Sequence, residues 1–137
     1  MRARICAVLL AITLLSAAAM AQANGNAAAP TRSQDETVSV GYMRTVVNAQ
    51  KNYKKKYGQY ATSLAALVHS GSFTRRMANT DRGAYTVEFH GKPESYWLVL
   101  IPKQFDPDHR AFYVDETGKI RVEEDKPATA ESPPLKS

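Results

Sequence analysis

The sequence predicts an α+β fold, with one long N-terminal helix packed on a small antiparallel sheet of about four strands. Three observations carry this expectation. Apolar residues recur at helical spacing between Tyr42 and Tyr57, the pattern switches to strict alternation at Tyr85, and short apolar runs follow with Gly, Pro and Asp between them. A helix that precedes a series of hairpins has only the sheet on which to bury its apolar face.

The first element is expected over 36–57. Asp35 and Glu36 suit a helix N-terminus, Tyr42, Met43, Val46, Ala49, Gln50, Tyr53 and Tyr57 form one face, and Arg44, Lys51, Lys54 and Lys55 lie on the other. Lysines in the last turn complement the helix dipole, and Gly58 is placed to end it. Thr62 or Ser63 can cap a short second helix over 64–68, and 72–83 is a polar connection. Tyr85, Val87 and Phe89 alternate with Thr86, Glu88 and His90 as in a half-buried strand. A turn at 91–94 leads to a second strand over 96–101, apolar on both faces. One face must lie under the helix, and the other is covered by a segment such as 72–83 or offered to a partner. Residues 110–114 and 119–122 form the last hairpin, with Gly118 in the turn where positive φ is cheap.

At 137 residues, 44% hydrophobic and 23% charged, the chain suits one small domain. Residues 1–21 read as a secretory signal peptide. Arg2 and Arg4 precede the apolar run from Ile5 to Leu15, and small residues then offer cleavage after Ala21 or Ala23. That run is shorter than the roughly 20 residues of a spanning helix. A periplasmic or secreted location is expected, with membrane contact only through this segment if it is left uncleaved. Residues 22–35 read as a flexible leader, 36–123 as the folded domain, and 124–137, with its prolines and few apolar residues, as a disordered tail. Cys6 is the only cysteine, which excludes an internal disulfide and a cysteine-built zinc site. It also sits at the front of the apolar run and not after it, the wrong side for a lipid acceptor.

Residues 48–53 (NAQKNY), 57–67 (YGQYATSLAAL), Tyr85-Thr86-Val87 and 112–121 (FYVDETGKIR) resemble, in order and spacing, the soluble region of type IV pilin-like proteins. The similarity is closest to the major pseudopilin of type II secretion and spans roughly 38–122. It implies a pilin-like head without enzymatic activity, acting by contact with envelope or secretion-system proteins. The chain departs from that group at its start: no Gly-Phe cleavage site and no Glu at the fifth mature position precede a long apolar helix. The resemblance therefore implies the soluble head alone, not a filament subunit.

The remaining chemistry is sparse. His69, His90 and His109 stand without a carboxylate and a nucleophile at useful spacing, so no catalytic residues are assigned. Asp106, Asp108, Asp115 and Glu116 supply oxygen ligands of the type calcium takes, and the pseudopilin resemblance adds weight to calcium, but the EF-hand spacing is missing and no cofactor is assigned. Residues 38–82 carry eight positive charges against one negative, whereas 83–137 carry seven against ten. Arg44, Lys51, Lys54, Lys55 and Lys56 thus form a possible interaction face, and the alternative function is a periplasmic polyanion-binding module. Export argues against nucleic acid as the partner, even though Tyr42, Tyr53, Tyr57 and Tyr60 interleave with these lysines.

Overall fold

The structure, a computed structural model, describes residues 31–136; the expected signal peptide lies outside the described residues. Helix α1 spans Gln34–Tyr57 and helix α2 spans Leu64–His69. Strands β1 (Asp81–Arg82), β2 (Tyr85–Gly91), β3 (Tyr96–Pro102), β4 (Ala111–Asp115) and β5 (Arg121–Glu123) follow. The five form one antiparallel meander in the order β1-β2-β3-β4-β5, against which α1 packs. The fold is α+β, with five strands where about four were expected. The additional one is β1, two residues drawn from the polar connection.

Local chemistry sets the helix ends. The Ser33 hydroxyl accepts the Glu36 amide, so α1 opens two residues earlier than its acidic pair suggested. Gly58 closes it at φ 77°, and its amide donates to the Lys54 carbonyl. Ser63 caps α2 by accepting the Ala66 amide.

Sheet register explains the core. Val87, Leu100, Phe112 and Val122 are cross-strand partners in one row, and Phe89, Leu98 and Val114 form the next. Both rows face α1, whose Val40, Met43, Val46 and Val47 are buried against them. Each fully buried side chain of this size contributes about 1.5–3 kcal/mol. Gln50 is buried among them and is satisfied by Ala61, whose amide it accepts (2.9 Å) and whose carbonyl it donates to (3.0 Å).

Segment 72–83 packs on the α1 side instead of the outer sheet face. Phe73 is buried, the Tyr42 hydroxyl donates to the Met77 carbonyl, and the Arg82 guanidinium lies 3.9 Å from the Tyr42 ring centroid. Burial pushes the Tyr42 hydroxyl up to about 12, an effect that Arg82 opposes.

Over 124–136 the expected disordered tail is instead packed on the fold. Val122 donates its amide to the Pro133 carbonyl, and Leu135 donates to the Ile120 carbonyl, extending pairing at the β5 edge. Proline lacks an N–H but keeps its carbonyl, so the tail can accept from an edge strand. Ala128 is buried against Val99, Ala111 and Tyr113, and Ser132 is 2% exposed with its hydroxyl donating to Glu123. The end of the expected leader is also tied down: Arg32 makes a two-pronged contact with Glu124 at 2.6 and 2.8 Å. No helix among the described residues is long and apolar enough to cross a membrane.

Candidate functional site

Two charged clusters and one aromatic groove carry the surface chemistry. The first cluster gathers at the start of α1. Glu36, wholly buried, accepts the Arg110 amide (3.0 Å) and Nε (2.9 Å) on Oε1, and the Arg110 Nη2 (2.8 Å) and Arg32 amide (2.7 Å) on Oε2. Burial alone would raise its carboxyl; the hydrogen bonds from Arg110 and from the Arg32 and Arg110 amides outweigh that and hold it below the ordinary carboxylate value. Beside this pair, the His109 Nδ1 lies 2.8 Å from Asp106 Oδ1, and its Nε2 lies 3.3 Å from Asp35 Oδ2. The hydrogen bond to Asp106 raises the His109 imidazole above its ordinary value and lowers the Asp106 carboxyl.

The sequence showed no carboxylate and nucleophile together at useful spacing around His109; the fold brings two carboxylates to it. Asp106, three residues earlier, was a local signal; Asp35, 74 residues away, was not. What the cluster does is fasten the loop before β4 to the first turn of α1. The Ser33 hydroxyl donates to the Asp108 carbonyl while it caps the helix. The buried Tyr85 ring lies 6.1 Å from His109, and its hydroxyl has no hydrogen-bond partner among the described residues; burial and the nearby Glu36 push its ionisation upward.

The carboxylates considered for calcium do not converge. Asp106 and Asp108 precede β4, while Asp115 ends it and Glu116 follows, so the two pairs lie at opposite ends of a five-residue strand. Asp106 is engaged by His109 and the Asp108 amide, and Asp115 accepts the Thr117 amide. Among the described residues, no group of three or more His, Cys, Asp or Glu is placed to hold a metal ion.

The basic face of α1 is exposed along its length, but its five members are not equivalent. Lys54 Nζ lies 4.3 Å from the Tyr60 ring centroid and Lys56 Nζ 5.2 Å from that of Tyr57. Arg44, Lys51 and Lys55, at i, i+7 and i+11, share one stripe. Arg44 and Lys51 flank a shallow depression that also involves Asn48 and Gly118. Of the interleaved tyrosines, Tyr42 and Tyr60 are buried, while the Tyr53 and Tyr57 rings meet at a tilt of 43° with centroids 4.5 Å apart.

The groove lies on the sheet face opposite α1. There Glu88, Val99, Tyr113 and Arg121 form one cross-strand row, and His90, Trp97 and Asp115 the next. His90 stacks on Trp97 with centroids 3.8 Å apart, and the near-parallel Tyr113 ring lies 6.4 Å from Trp97 on centroids. Tail residues 127–129 cover the β4 side and stop short of β2, leaving a groove of about 290 Å³ between the tail, Trp97, Val99, Tyr113 and Glu88. The unbroken apolar run 96–101 marked both faces of this strand as apolar, but the tail's part in shaping the outer one had no sequence signal. Comparisons with protein-family models, curated proteins and solved structures give no significant match to this chain.

Proposed function

We propose that the chain is an exported, non-enzymatic, pilin-like domain that acts by protein–protein contact in the cell envelope, with type II secretion or type IV pilus machinery as its setting. One observation carries the contact reading: the outer sheet face presents Trp97, only partly buried, in a groove that the tail borders but does not fill. Aromatic side chains in such a position supply large contact area at low entropic cost. The motifs in 48–67 and 112–121 support the pilin-like setting, and the basic leader with its apolar run supports export.

The test is photo-crosslinking in cells. A photoreactive residue at His90 is expected to yield adducts with a secretion or pilus component, whereas one at Asn48 on α1 is not. Adducts from Asn48 alone would overturn this reading.

A second reading, polyanion binding, is favoured by one feature: Arg44, Lys51 and Lys55 share an exposed stripe of α1 with, among the described residues, no ion pair to an acidic side chain. It predicts salt-dependent retention on heparin that Arg44→Glu/Lys51→Glu abolishes.

A further inference from the structure

The groove has chemistry of its own. Its apolar surface comes from Trp97, Tyr113 and Val99, yet one edge is the carboxylate of Glu88, which is exposed and, among the described residues, has no hydrogen-bond or ion-pair partner. The cross-strand row places Glu88 and Tyr113 on either side of Val99, with one strand between them. Elsewhere on this face Asp115 and Glu123 add negative charge. The one cation in the rows, Arg121, is held to the Ser132 carbonyl at 2.8 Å. The face is therefore aromatic and anionic, in contrast to the basic helix on the opposite side.

These features discriminate between guests. An apolar side chain would strip water from Glu88 without replacing its hydrogen bonds. An anionic guest would meet like charge. A guanidinium satisfies both halves: its plane lies against an aromatic ring while its N–H groups reach a carboxylate. At about 290 Å³, the groove is at the lower limit of small-molecule sites and suits a single long side chain. His90, stacked on Trp97 from the hairpin side, braces the indole from the direction away from Tyr113.

We propose that this groove is the anchor pocket for an arginine side chain of a partner protein, with Trp97 and Tyr113 as its aromatic surfaces and Glu88 as its counter-charge. The proposal rests on the outer face being the contact surface, and it specifies what that surface recognises.

Trp97 is the only tryptophan in the chain, so its emission reports on this groove alone. The probe is the blocked peptide acetyl-Gly-Gly-Arg-Gly-Gly-amide, titrated into the purified exported protein. The citrulline peptide, equal in shape but uncharged, and the leucine peptide are the controls. The arginine peptide is expected to change Trp97 emission saturably, with a Kd of about 1 mM as suits one side chain, and to bind about tenfold tighter than citrulline. Glu88→Gln, at an exposed position that leaves the core intact, is expected to remove that preference, and Asn52→Ala, exposed on α1, to leave it unchanged. Equal binding of all three peptides, tighter binding of leucine, or no response from Trp97 would overturn the proposal. If crosslinks from His90 persist in any of those cases, the contact surface stands and only its arginine specificity falls. If those crosslinks are absent as well, the contact reading falls with it.

Discussion

Glu36 in the first turn of α1 and Arg110 at the threshold of β4, 74 positions apart, form a buried two-pronged ion pair that joins the helix to the sheet. Pairs of this kind are weak evidence of net stabilisation against an apolar equivalent, because both charges have left water. Breaking one is different, since the remaining charge stays buried.

Glu36→Ala is therefore expected to destabilise the fold by about 3–5 kcal/mol in urea denaturation. Replacing both members with methionine should recover a large part of that loss. A cost for Glu36→Ala within about 0.5 kcal/mol of zero, the ordinary range for a surface substitution, would contradict the role assigned to the pair.

The pH dependence has two limbs of opposite sign. Glu36 is depressed below its ordinary 4.5, so its contribution is present above that value and is lost as pH falls through the lower folded value. Asp106, held down from 3.8 by His109, adds to the same acid limb. His109 is raised above 6.5, so its contribution is full below 6.5 and is lost as pH rises through the higher folded value. Stability measured against pH should peak between these limbs. Glu36→Gln is expected to flatten the acid side, and His109→Asn to flatten the side near neutrality along with the part of the acid limb that Asp106 owes to the histidine.

Two glycines should respond with opposite signs. A Cβ on Gly91 would meet the Ala61 carbonyl oxygen at 2.6 Å and the Thr62 Cα at 2.7 Å, both backbone atoms that cannot swing aside. Gly91→Ala should cost about 1–3 kcal/mol. Gly41, in the exposed middle of α1, has nothing within 4 Å of the added atom, and Gly41→Ala should stabilise by about 0.5–1 kcal/mol. Thermal unfolding of the two variants side by side checks both.

Removal of residues 127–137 should uncover Val99, Ala111 and Tyr113 and leave the β5 edge without its partners. The expected result is a red shift of Trp97 emission and a loss of about 2 kcal/mol, of the order set by burying one or two apolar side chains. Ala128→Asp should reproduce part of the shift with the tail still present. Unchanged emission in both variants would show that the tail does not cover this face in solution.

Much of the architecture was legible in the sequence. The 3.6-residue period over 42–57, the Thr62-Ser63 cap, the αL glycines at 58 and 118, and the alternation from Tyr85 are local signals, and every element except β1 formed within two residues or so of its expected place. The basic face was equally readable, because Arg44, Lys51, Lys54, Lys55 and Lys56 lie on one helix whose spacing displays them. Their inequality was not: Tyr60, which takes up Lys54, comes from beyond the helix.

What the sequence did not show has one cause. Glu36 does lie in the first helical turn, where its charge suits the dipole, but its ion pair, the second carboxylate at His109 and the packing of the tail expected to be disordered over 124–137 had no signal among neighbouring residues. Arg110, Asp35 and the β5 edge reach them only once distant segments are packed together. By itself the sequence determined which stretches form helix and strand, and which faces are apolar, since both follow from backbone preference and side-chain period over a few residues. Only the tertiary structure decided which charges are buried in pairs and which segment covers the outer sheet. Those outcomes depend on long-range chain closure and desolvation, and no local spacing encodes them.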